Sequence, residues 1–196
     1  MRKLTYYIAV TLDGYIAGPG GEVDFLPFEG DARDGILAEY PETMPTPART
    51  AFGLTDTPHL HFDTVVMGRA TYEPGLAAGL TDPYAHLTTY VVSTTLDPVD
   101  PAVNVVRDNP VDLVRKLKSQ PGQDIWLCGG GRLAAALLPE IDELILKRNP
   151  VAIGSGIPLF ANAPFAPLPF TPTATRTFTT GLSITTYART TSAPAS

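Results

Sequence analysis

Three short stretches of this 196-residue chain put backbone N–H groups, hydroxyls and a guanidinium where a phosphate could lie. Gly68-Arg69-Ala70-Thr71 and Gly129-Gly130-Gly131-Arg132-Leu133 each follow an apolar run and precede a helix-forming one, which reads as a strand-to-helix turn. In open α/β sheets ligands sit outside the carboxyl ends of strands. Glycine there lets the backbone approach an anion lying on the positive end of a helix. Arg69 adds a planar fork matched to a phosphate monoester, and Thr71 adds a hydroxyl. Ser93-Thr94-Thr95 closes another apolar run and supplies further donors at the same sheet edge. Three such loops suit a dinucleotide better than a lone phosphate. Neither glycine turn has the G-x-G-x-x-G or P-loop spacing, and a run of three glycines by itself also serves packing or capping.

Other reactive side chains are scattered. Asp13, before Gly14, is either a polar contact at a pocket mouth or an ordinary Asp-Gly turn residue. His59-x-His61 with Asp63 makes half a metal site, and without a second cluster no metal is expected. Cys128 has no evident paired base and, like Trp126, reads as core. Tyr40, Tyr84 and His86 are further cleft candidates, with plain core or surface roles as the alternative.

The elements that must position these groups follow from the apolar pattern. Residues 4–11 form a nearly continuous β-branched and aromatic run, the mark of a buried central strand. Residues 12–24, with Gly18-Pro19-Gly20-Gly21, read as a loop wrapped over its end. A short helix over 31–40 stops at Pro41, and residues 41–58, with four prolines, read as an irregular surface insertion. Further strands fall at 64–67, 89–93, 103–106, 125–128 and 142–147. Thr71 is placed as the N-cap of the helix after the second strand, with Pro74 in its first turn. Asn109-Pro110 opens an amphipathic helix that Pro121-Gly122 closes, and 132–138 is the helix after the glycine run. Residues 174–178 and 182–187 around Thr180-Gly181 read as an antiparallel hairpin. The expectation is a three-layer α/β/α domain over 1–190, its mixed central sheet mostly parallel and ending in that hairpin, with 191–196 as a disordered tail.

Composition narrows the partners. A net charge of -6 lacks the basic footprint of a nucleic-acid binder, so a small-molecule substrate is expected. No apolar run approaches the roughly 20 residues of a membrane-spanning helix, and the short apolar run after Met1-Arg2-Lys3 leads to the expectation of no signal peptide. One cysteine permits no internal disulfide, which suits a cytoplasmic protein. Twenty prolines leave little room for long helices.

Taken in order, residues 7–18, 65–73, 91–96 and 126–133 resemble the dihydrofolate reductase superfamily. Thr11-Leu12-Asp13-Gly14-Tyr15-Ile16-Ala17 and Gly154-Ser155-Gly156-Ile157-Pro158-Leu159-Phe160 resemble more closely its riboflavin-biosynthesis reductase branch, the RibD C-terminal domain. The resemblance spans residues 4–187 and implies a homodimeric, NADPH-dependent reductase. By that resemblance Gly68, Arg69 and Thr71 hold the cofactor phosphates, and Ser93 and Thr94 face the 2′-phosphate. Gly129, Gly130, Gly131, Arg132 and Leu133 cradle the pyrophosphate and ribose. Val10, Ile16 and Ala17 line the nicotinamide, and Asp13 is the polar catalytic contact at the pocket mouth. The chain departs from classical dihydrofolate reductases where they carry a pterin-binding acid on the first helix. Asp34 and Glu39 lie in that region but in no matching motif. The expected reaction is hydride transfer to a small heterocyclic or imine-like substrate. The alternatives are the ribosylaminopyrimidine phosphate of riboflavin biosynthesis, or a non-catalytic NADPH-binding dimeric module.

Overall fold

The computed structural model describes residues 1–190; the tail expected over 191–196 lies outside them. The central run becomes β1 (Leu4–Val10), followed by β2 (Tyr15–Ala17), α1 (Gly30–Glu39) and α2 (Thr46–Ala51). Then come β3 (Phe62–Gly68), α3 (Arg69–Ala77), β4 (Thr88–Val92), β5 (Asn104–Val106) and α4 (Pro110–Lys118). The chain continues through β6 (Asp124–Gly129), α5 (Gly131–Leu137), β7 (Glu143–Arg148) and β8 (Ile157–Pro158), and ends in β9 (Phe170–Thr177) and β10 (Ser183–Arg189).

Eight strands form one sheet in the order β5-β4-β3-β6-β1-β7-β10-β9. Every pair from β5 to β7 is parallel, and β10 and β9 close the edge antiparallel. This is the mixed, mostly parallel sheet with a terminal hairpin that the pattern predicts. Alternation along β1 splits the core between two faces. Leu4, Tyr6 and Val10 join Leu133 and Leu137 of α5 and Val114 of α4 on one side. Tyr7 joins Ile36 of α1, Tyr72 of α3 and Trp126 on the other. No helix of the described residues is long and apolar enough to cross a membrane.

Four local expectations are corrected. Residues 12–24 are not all loop, because Tyr15–Ala17 pairs antiparallel with Ile157–Pro158 in a separate two-stranded sheet. Residues 41–58 are not merely an irregular surface insertion: they hold a 3₁₀ turn at Pro41–Thr43 and the helix α2. Glu42, 0% exposed, accepts the backbone N–H groups of Leu60, His61 and Phe62, so the segment is tied into the core. Thr71 is not an N-cap, since α3 starts two residues earlier with Gly68 at the cap and no side-chain capping bond. Pro74 therefore lies inside that helix and not in its first turn. Asn109 does cap α4, its side chain accepting the Val111 N–H at 3.0 Å.

Candidate functional site

The parallel strands deliver their carboxyl ends to one edge, and pairing decides which turns meet there. Because β3 lies beside β6, the Gly68 turn abuts the glycine run. A Cβ built on Gly68 would sit 3.8 Å from the Gly129 carbonyl, and one on Gly130 would sit 3.4 Å from Thr71 Oγ1. The turn backbone and the Thr71 hydroxyl thus lie against one another, and no hydrogen bond within the described residues engages that hydroxyl.

On the other flank of β3, the β3–β4 and β4–β5 pairings bring one guanidinium each, Arg69 and Arg107, to the loop after β4. Arg69 donates from Nε to Glu73 Oε1 at 2.6 Å and from Nη1 to Thr95 Oγ1 at 2.8 Å. Arg107 donates to the carbonyls of Thr94 at 2.8 Å and Leu96 at 2.9 Å. Ser93 is buried, and its Oγ accepts the N–H groups of Thr95 and Leu96, which shapes the loop, while Thr94 is exposed. Thr95 belongs to the donor triplet that the motif reading picked out, whereas Arg107 escaped it. Arg107 carries no local signature, but it directly follows β5, whose Val106 is in register with Val92 at the end of β4.

The other expected residues separate. Arg132 is exposed on a shallow depression of about 320 Å³ beside Ala136 and Asn162, on the outer side of α5. Leu133 and Val10 are buried in the core on the α5 face. Gly131 is a packing glycine, since a Cβ there would lie 2.2 Å from the Pro158 carbonyl oxygen. Ile16 and Ala17 are buried on β2, whose Ala17 carbonyl approaches Gly156 so closely that a Cβ at that position would meet it at 2.2 Å.

Asp13 staples two loops together. One carboxylate oxygen accepts the Thr11 hydroxyl at 2.6 Å, and the other accepts the N–H groups of Ile153 at 3.0 Å and Gly154 at 2.7 Å. The Thr11 bond first, then the Gly154 N–H, hold its pKa below the usual carboxylate value. The histidines have local partners. His86 bridges the Thr46 hydroxyl and the Glu42 carbonyl, and His61 packs against the Tyr40 ring with centroids 4.7 Å apart. Asp34 pairs with Arg33, and Glu39 with Arg176 of β9.

A cavity of about 220 Å³ opens at the ends of β1 and β7, on the α1 face. Ala9, Leu26, Phe28, Ile36 and Leu182 line its apolar walls. Its polar lining is Lys147, near the end of β7, and Asn149, just past it, which the motif reading also missed because the run there reads as plain β pattern. Lys147 Nζ stands 3.9 Å from the centre of the Tyr7 ring, and burial pushes its pKa down from 10.5 to about 8. Asn149, 1% exposed, donates from Nδ2 to the Lys147 carbonyl, while its Oδ1 is buried without a partner. The edge therefore offers anion-compatible turns over β3, β4 and β6 and, beyond β1, a small pocket lined by one cation and by a residue whose buried acceptor has no partner.

Known proteins resemble this chain in sequence and in fold. The uncharacterized protein YwjB of Bacillus subtilis (strain 168) is 35% identical over 163 residues, covering 81% of this chain and 83% of that protein. A crystal structure from Shewanella sp. PV-4, provisionally assigned to riboflavin biosynthesis, superposes with a TM-score of 0.72 at 26% identity over 97% of this chain and 100% of that one. The dihydrofolate reductase of Enterococcus faecalis, solved with NADP(H) and RAB-propyl, shares the fold at a TM-score of 0.60 and 19% identity over 95% and 96% of the two chains. The RibD C-terminal domain family matches residues 2–184, nearly the whole of the sheet and both of its layers, and the chain belongs to that family.

Proposed function

We propose that this protein is an NADPH-dependent reductase that delivers a hydride to a small heterocyclic or imine-like substrate. The observation that carries the reading is the meeting, at one sheet edge, of anion-compatible turns with a mostly apolar cavity. The NADP(H) held by the Enterococcus faecalis enzyme of the same fold supports the choice of cofactor. The residues present fit such a group. Gly130 leaves open the space a Cβ would take beside the Thr71 hydroxyl, and two guanidiniums flank the loop after β4.

Bound NADPH supplies the hydride. Arg69 and Arg107, with Thr94 and Thr95 between them, bind its 2′-phosphate by charge and forked donors. Thr71 and the backbone of Gly129 and Gly130 take the pyrophosphate. Ile16 and Ala17 keep water from the nicotinamide, where an apolar wall protects hydride transfer. Asp13 acts through the two loops it joins, holding the 150–156 segment beside β2. Reduction of 5-amino-6-(5-phosphoribosylamino)uracil is a second reading, favoured by the provisional assignment of the Shewanella protein.

The test is thermal-shift and fluorescence titration with NADPH and NADH side by side, since a ligand bound only by the folded state raises its stability. NADPH is expected to stabilise the protein well beyond NADH, and Arg69→Ala is expected to erase that preference. Stabilisation by neither nucleotide at millimolar concentration overturns the reading, and NADPH binding without turnover of any pyrimidine or pterin leaves the non-catalytic module.

A further inference from the structure

The cavity beyond β1 is charged the wrong way for a cationic ring. None of the described residues lining it is a carboxylate, and the acidic candidates on α1 are engaged elsewhere, Asp34 with Arg33 and Glu39 with Arg176. What the lining does contain is Lys147, an ammonium with the Tyr7 ring beneath it and, among the described residues, no carboxylate within ion-pairing distance. Next to it in the wall is Asn149, buried, with Nδ2 tied to the backbone and Oδ1 left without a donor.

An ammonium partly withdrawn from water, and an amide oxygen wholly withdrawn from it, are both costly unless something pairs with them. The protein supplies neither partner from its described residues. A cation–π contact offsets only part of the desolvation of the ammonium. The rest of the lining, which includes Ala9, Leu26, Phe28, Ile36 and Leu182, is apolar, which suits the faces of a single ring.

We propose that this pocket selects a small planar ring bearing an ionised or strongly polarised oxygen, which Lys147 binds, with a neighbouring N–H or O–H donated to Asn149 Oδ1. Amidine-like cationic rings are rejected by the same lysine. The inference rests on the cavity being the substrate side of the reductase proposed above, and it adds the charge and hydrogen-bond pattern that side demands. Both residues are substrate-contacting groups, and neither lies in the cofactor groove.

Two probes of one ring size and opposite charge test it. Salicylate carries a carboxylate with an adjacent hydroxyl, and benzamidine carries the cationic fork that a carboxylate-lined pocket would take. Calorimetric titration of the full chain, with and without NADPH, is expected to show salicylate binding at least tenfold tighter than benzamidine. Lys147→Met and Lys147→Gln, which remove the charge but keep most of the stem, are expected to weaken salicylate at least tenfold while leaving NADPH affinity within twofold. Two neutral variants guard against one folding poorly. The proposal is overturned by salicylate failing to bind the wild type, by benzamidine binding as well as salicylate, or by salicylate affinity indifferent to both substitutions. If NADPH does not bind but salicylate binds through Lys147, the reductase reading fails alone. NADPH binding with salicylate indifferent to Lys147 sinks this inference alone.

Discussion

Lys147 sets a residue-scale conflict between stability and recognition. Burial depresses its pKa to about 8, while the thiol of Cys128, itself pushed up to about 12 by burial, works weakly the other way. In the unfolded chain the ammonium titrates near its ordinary 10.5. Between those two values the unfolded state binds more protons than the folded one, so stability rises with pH across the window. Below pH 8 both states are charged and the full penalty is present. Lys147→Met is therefore expected to melt higher than the wild type at pH 7, and the gap is expected to narrow by pH 10. A gap independent of pH would show that Lys147 is not desolvated in the folded state. Such a trade of stability for a binding group is common where a site holds an unpaired charge. The residue scale also explains why the motif reading found Arg69 and missed Lys147 and Arg107. Arg69 stands in a glycine turn, a signal that is local in sequence. Lys147 and Arg107 stand at or just past strand ends, and their neighbours come from other strands.

At the scale of elements, the glycine run divides into two jobs that its letters do not distinguish. Gly131 opens α5 against the β8 segment, and a methyl there would drive into the Pro158 carbonyl oxygen and crowd Ala161. Gly131→Ala is expected to cost about 1–3 kcal/mol in chemical unfolding, the usual range for overpacking against backbone that must shift. Gly130 meets only Thr71 Oγ1 at an ordinary contact distance. Gly130→Ala is expected to change stability by less than about 0.5 kcal/mol. It is also expected to weaken NADPH at least tenfold, because its methyl occupies the proposed phosphate space. Equal losses of stability in the two variants would make the whole run structural. The start of α3 shows a related limit. Thr71 has the composition of an N-cap, but the helix begins as soon as β3 ends, so the threonine falls inside the first turn and its hydroxyl is left for the groove. Pro74 sits within the helix interior for the same reason. The amphipathic helix after Asn109 was legible because cap, proline and apolar spacing agree there.

Across the whole molecule the two core faces divide the labour. The face carrying α4 and α5 is apolar packing, and the face carrying α1 and α3 also walls the cavity. The insertion over 41–58 belongs to this second face, and Glu42 is its anchor. Removing that carboxylate leaves the N–H groups of Leu60, His61 and Phe62 short of acceptors at the entrance to β3. Glu42→Ala is expected to destabilise the protein by about 1–3 kcal/mol, because of the three donors only that of Phe62 lies on a buried residue that water does not reach. Hydrogen exchange should locate the loosening in residues 40–62, and unchanged exchange there would refute the anchoring role. The sequence by itself determined the strand and helix order, the mixed sheet with its terminal hairpin, and the glycine turns, because apolar periodicity, caps and turn residues act over a few neighbours. It also carried the family resemblance. Only the tertiary structure decided which turns meet, which glycines are packing, that residues 41–58 are part of the core, and that a lysine and an asparagine from β7 and its exit furnish the cavity. Those outcomes depend on strand order, and pairing between β1 and β7 joins residues more than 130 positions apart. No local pattern encodes such a distance.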